Sequence, residues 1–142
     1  MHALIIEDEP IIAMSIEEIL RTCGFTSFDL ATTVEDAVSA AERNCPDLIT
    51  ADVDLKPGSG IDAVNVICSG PPIPVIFITG SPTEAKRKVP QYRMIEKPFT
   101  ASAVVAAVES ALNDQRSENN ARITSNRIDA SLGEIGRIQR LS

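Results

Sequence analysis

Scattered along this 142-residue chain are the groups that handle phosphate and metal ions: Glu7-Asp8, Asp52, Thr79 and Lys97. Carboxylates brought close together repel one another and cling to protons unless a cation compensates. A hard divalent ion such as Mg²⁺ is the usual compensation, since it takes oxygen ligands and keeps some of its waters. A lysine and a hydroxyl beside it can hold an anion whose other oxygens face the metal. Together these groups make a phosphoryl-transfer site, where positioning and charge neutralisation supply most of the catalysis. The chemistry requires the fold to carry all of them to one place.

The elements that would do so are legible. Short aliphatic runs at residues 3–6, 26–31, 47–51, 74–78 and 92–95 alternate with segments of helical periodicity. Pro10 opens the first periodic segment, with Ile12, Ile16, Ile19 and Leu20 at helical spacing, and Gly24 closes it. Thr33 with Asp36, Ser59 with Asp62, Ser81-Pro82 with Glu84, and Thr100 are start signals for four more helices. The runs are continuously apolar rather than alternating, which suits a parallel sheet covered on both faces. Right-handed crossovers then give an α/β fold, a doubly wound five-stranded parallel sheet of the flavodoxin-like type. Ligands of such sheets bind beyond the carboxyl ends of the strands. Glu7-Asp8 follow the first run, Asp52 the third, Thr79 the fourth and Lys97 the fifth, so one edge collects the whole set.

Composition bounds the rest. An apolar fraction of 44% suits one globular domain with its own core. No apolar run approaches the roughly 18 residues of a membrane span. Cys23, Cys45 and Cys68 lack metal-ligand spacing, and reduced thiols in a cytoplasmic protein are the expectation. The net charge of −7 argues against nucleic acid as a partner. Residues 113–142 hold five arginines against four acids, leaving residues 1–112 at −8. A domain boundary is therefore placed near Asn113. Ile128, Leu132, Ile135, Ile138 and Leu141 recur at helical spacing, but Gly133 and Gly136 each cost about 1 kcal/mol there. The expectation for residues 113–142 is a flexible tail or a short amphipathic helix. Thirty residues are too few for a helix-turn-helix effector domain.

The strand-end residues resemble the receiver domain of two-component response regulators. Glu7-Asp8, then Asp52 with Leu55, Pro57 and Gly60 behind it, then Thr79, and finally Lys97-Pro98-Phe99 occur in the family's order across residues 1–112. The resemblance implies that Asp52 is the phospho-acceptor, taking phosphate from a histidine kinase or a histidine phosphotransfer protein. It implies Mg²⁺ held by Glu7, Asp8, Asp52 and the backbone carbonyl of Asp54. Lys97 and the Thr79 hydroxyl would each meet a phosphoryl oxygen, and the Lys97–Pro98 bond would be cis. Phosphorylation would switch the surface around the fourth helix and fifth strand toward a downstream protein. This chain departs from the pattern in three ways. Its acidic pair is Glu-Asp rather than Asp-Asp. Its fourth helix, bracketed by Pro82 and Pro90, is expected to have about two turns. Its switch aromatic, normally near Met94, would be Tyr92, on the same strand face as residue 94.

The resulting expectation is a single-domain response regulator, signalling by protein–protein contact and catalysing only its own phosphorylation and dephosphorylation. A phosphate sink or shuttle, and a phosphorylation-independent pseudo-receiver, are the alternatives. A haloacid-dehalogenase-like phosphatase would also use Asp52-Val53-Asp54. That family, however, places its motif after the first strand, with a threonine where this chain has Lys56. Flavin binding on the same fold needs hydroxyls and glycines where Glu7-Asp8-Glu9 stand.

Overall fold

The structure is a computed structural model; it describes residues 1–70 and 72–141, with side chains described through residue 125. Five strands and five helices alternate in strict order. They are β1 (His2–Ile6), α1 (Pro10–Thr22), β2 (Ser27–Ala31), α2 (Val34–Arg43) and β3 (Leu48–Ala51), followed by α3 (Gly60–Ile67), β4 (Val75–Thr79), α4 (Pro82–Lys88), β5 (Arg93–Glu96) and α5 (Ala101–Leu141). The strands form one sheet in the order β2-β1-β3-β4-β5, and every neighbouring pair is parallel. This is the doubly wound fold expected from the sequence.

Period-2 alternation along each strand divides the core in two. Leu4, Ile6, Ile49, Ala51 and Phe77 pack with Ala37 and Ala40 of α2, Val64 of α3 and Ala85 of α4. Ala3, Ile5, Leu48, Ile76 and Ile78 pack with Ile16 and Leu20 of α1 and with Val104 and Val108 of α5. All five residues of β1 and of β4 are buried, which is why those runs read as continuously apolar.

Helix starts follow the local chemistry. The Thr33, Ser59 and Thr100 hydroxyls accept hydrogen bonds from the backbone N–H groups of Asp36, Ile61 and Ala103, each at 3.1 Å. Ser81 corrects the expectation that it caps α4, because its side chain makes no capping bond. Its own N–H instead donates to the Thr79 hydroxyl at 3.0 Å, and this drawn-in turn replaces the cap. α4 has seven residues, about the two turns expected.

The chain divides into two compact units, residues 1–112 and residues 113–142. That division falls at the boundary expected near Asn113, and helical backbone continues past it, α5 running to Leu141. No proline or glycine interrupts residues 113–125. Extending an existing helix also avoids the nucleation cost that makes short isolated helices marginal. Described side chains from Arg116 to Ser125 are exposed, and Gln115 bonds Asn119 one turn on. The stripe from Ile128 to Leu141 lies outside the described side chains. No helix among the described residues is long and apolar enough to cross a membrane.

Candidate functional site

The sheet sets the site through its main chain. Asp52 N–H donates to the Ile6 carbonyl at 2.9 Å and Lys97 N–H to the Thr79 carbonyl at 2.8 Å. Glu7 N–H donates to the Ala31 carbonyl at 2.9 Å. Three functional residues are thus held as one-residue extensions of the parallel ladder. Their side chains inherit positions from strands buried on both faces.

Those side chains meet. Lys97 Nζ donates to Glu7 Oε1 at 2.7 Å and to Asp52 Oδ2 at 2.9 Å. The Glu7 side chain is 1% exposed and that of Asp52 7%, against 17% for Lys97. Glu7 Oε2 also accepts from Glu9 N–H at 3.3 Å, and Asp52 Oδ1 from Asp54 N–H at 3.0 Å. Burial pushes the Glu7 carboxyl up, opposed by the hydrogen bond from Lys97 and reinforced by the charge of Asp52, so that it reaches about 7. Burial pulls the Lys97 ammonium down, but its bonds to Glu7 and Asp52 outweigh that and raise it. Glu7, Asp8 and Asp52 each offer a carboxylate oxygen within 4.8 Å of the others. Hard oxygens at this spacing suit a divalent cation.

Asp54, Asp8 and Asp52 line an opening of about 430 Å³, with Lys97 at one side. The loop below it is tightly built. Gly58 has φ +94°, a conformation that side chains rarely adopt. A Cβ on Gly60 would land on the carbonyl oxygen of Asp52. Asp54 and Ser59 form an isolated antiparallel bridge across this turn. The Lys97–Pro98 bond is cis, and so is Lys56–Pro57, which the sequence did not signal.

Thr79 is fully buried at the end of β4, its hydroxyl accepting from Ser81 N–H, while Gly80 lines the opening. Tyr92 stands just before β5 and away from the opening. Its ring meets Phe77 edge-on, with centroids 5.5 Å apart, and it packs with Met94 against the same apolar cluster. Glu9, Lys56 and Gly80 also line the opening and were not singled out by the sequence. Nothing in a loop sequence fixes where a lysine or glycine faces.

Residues 3–109 match the response regulator receiver domain family, and the chain belongs to that family of two-component signalling domains. It is 42% identical over 119 residues to the phyllosphere-induced regulator PhyR of Methylorubrum extorquens, covering 80% of this chain and 44% of that protein. It is 33% identical over 116 residues to the transcriptional regulatory protein PdtaR of Mycobacterium tuberculosis, covering 79% of this chain and 57% of PdtaR. The chain therefore spans about half the length of these curated relatives. Among solved structures, PhyR from Brucella abortus superposes with a TM-score of 0.76 at 36% identity, covering 84% of this chain and 51% of that one. The receiver domain of Erythrobacter litoralis PhyR gives 0.71 at 37% identity, covering 78% of this chain and 88% of that one.

Proposed function

We propose that Asp52 accepts a phosphoryl group from a histidine kinase or a histidine phosphotransfer protein and that the chain signals by protein–protein contact. The observation that carries this reading is the single ammonium of Lys97 joined to both Glu7 and Asp52 at the strand ends, with Asp8 in reach of both acids. An Asp52 carboxylate oxygen forms a bond to phosphorus while the phosphorus–nitrogen bond of the donor phosphohistidine breaks. The imidazole leaves with the electron pair and takes up a proton. Lys97 stays beside Asp52 and meets a phosphoryl oxygen, and the Thr79 hydroxyl meets another by exchanging its bond to Ser81.

Glu7, Asp8, Asp52 and the Asp54 carbonyl would hold Mg²⁺, whose contribution is to neutralise the phosphoryl oxygens and the clustered acids. The chain's only catalysis is then on itself, adding and removing this group. Tyr92, packed on Phe77, is the aromatic that would report the change at Asp52 and Thr79. The downstream partner is taken to be a protein, in line with the description of Bartonella quintana PhyR, 37% identical, as an anti-anti-sigma factor.

Incubation with acetyl phosphate and Mg²⁺ should add one phosphoryl mass to the intact protein and none to Asp52→Ala. A wild-type mass that stays unchanged while a control receiver is labelled overturns the reading in favour of a phosphorylation-independent module.

A further inference from the structure

The opening over Asp52 has a charge problem for its own substrate. Asp8, Glu9, Asp52 and Asp54 line it, against Lys56 and Lys97 as the two cations. Lys97 is already committed, 2.7 Å from Glu7 and 2.9 Å from Asp52. Lys56 is exposed on the rim and makes no ion pair or side-chain hydrogen bond among the described residues. A phosphodonor reaches this opening as an anion and first meets a rim of acids, in a unit of residues whose net charge is −8.

The geometry points to Lys56 as the residue that draws anionic phosphodonors to Asp52 and so sets donor preference. This rests on the aspartyl-phosphate reading above. The loop explains how the residue is held there. Lys56 sits between Leu55, which is buried, and the Pro57-Gly58 turn, so its backbone is fixed while its long side chain stays in water. A rim charge of this kind changes association rate and its salt dependence more than it changes the bound state. Its pull fades beyond a screening length of about 8 Å at physiological ionic strength. With acetyl phosphate, an Asp52 carboxylate oxygen bonds to phosphorus. The bond from phosphorus to the bridging oxygen breaks, and acetate leaves with the electron pair. Lys56 takes no part in that exchange; it brings the donor in.

The test compares Lys56→Gln, Lys56→Arg and Arg43→Gln, the last removing one charge from the final turn of α2. The apparent second-order rate of Asp52 phosphorylation by acetyl phosphate should fall about 3- to 10-fold in Lys56→Gln at ~20 mM salt and less than about 2-fold at ~0.5 M. Lys56→Arg and Arg43→Gln should match wild type. Phosphoramidate, whose protonated amine offsets part of its negative charge, should show a smaller loss. Mg²⁺ affinity measured by calorimetry should be unchanged or tighter in Lys56→Gln, whereas a merely structural role would weaken it. Equal rates for Lys56→Gln and wild type, or a loss independent of salt and donor, overturn the assignment of Lys56 alone. A wild-type protein labelled by neither donor overturns the aspartyl-phosphate reading and this inference with it.

Discussion

Lys97 and Glu7 lie 90 positions apart in the chain and 2.7 Å apart in the fold, with the Glu7 side chain almost wholly out of water. The two strands that deliver them, β1 and β5, are not neighbours in the sheet, because β3 and β4 stand between. The contact is therefore a property of the whole sheet rather than of any local motif.

Removing the ammonium strands two buried acids. Lys97→Met should destabilise the metal-free protein by about 2–4 kcal/mol at pH 7.5, since breaking a buried pair leaves uncompensated charge. The loss should shrink at pH 5.5, where Glu7 takes up a proton. Urea unfolding at the two pH values measures both.

Glu7 gives the metal-free protein a pH dependence of definite sign. The unfolded carboxyl releases its proton near 4.5, and the folded one keeps it to about 7. Between those values the folded state binds more protons, so this group's contribution to stability is greatest below pH 4.5 and is lost as pH rises toward 7. Glu7→Gln should flatten that part of the curve relative to wild type. Urea midpoints from pH 4 to 8 in the presence of a chelator measure the difference, and parallel curves would contradict it.

Gly60→Ala places a methyl group against the Asp52 carbonyl, which has nowhere to go without moving the acceptor itself. Overpacking of this kind costs about 1–3 kcal/mol. Phosphorylation of Asp52 should slow more than 10-fold, read by intact mass against time, while Gly70→Ala, with open space around the added carbon, changes neither quantity.

Tyr92→Leu removes the edge-on contact with Phe77 and should cost about 0.5–1.5 kcal/mol. Labelling of Asp52 should stay within about twofold of wild type, because the ring stands away from the opening. Chemical-shift changes around β5 on phosphorylation should shrink in the variant. Unaltered shifts would remove Tyr92 from the switch.

Both apolar clusters lie wholly within residues 1–112. A chain ending shortly after Leu112 should still unfold in one cooperative transition and still take phosphate on Asp52. Loss of the transition in circular dichroism would show that residues 113–142 are needed for the fold.

The fold was legible because its signals are redundant. Leu4-Ile5-Ile6 and Val75 to Ile78 can be so uniformly apolar only if both sheet faces are covered, and Thr33, Ser59 and Thr100 mark helix starts with side chains that do cap. The site was legible for a related reason: Glu7, Asp52 and Lys97 each stand one residue past a strand or its last pair, where a parallel sheet presents its ligands. Lys56 was hidden because its orientation depends on a turn that contains Gly58 at positive φ and the close approach of Gly60 to the Asp52 carbonyl. Ser81 misled because its hydroxyl makes no capping bond while its own backbone N–H goes to the Thr79 hydroxyl, a local arrangement that spacing does not resolve. The extent of α5 was hidden because polar composition does not distinguish an exposed helix that continues from a buried one from a segment that unravels.

The ladder bonds from Asp52 to Ile6 and from Lys97 to Thr79 have a thermodynamic corollary. With the bond from Glu7 to Ala31 they fix the two acids Glu7 and Asp52 beside one another at the moment of folding, so the metal-free fold stores electrostatic tension that Lys97 offsets in part and the apolar layers hold in check. Any cation that enters relieves this tension, and its affinity draws in part on free energy the polypeptide set aside when it collapsed. In a chelator the protein should therefore be less heat-resistant than in Mg²⁺, and binding should register as a rise in melting temperature.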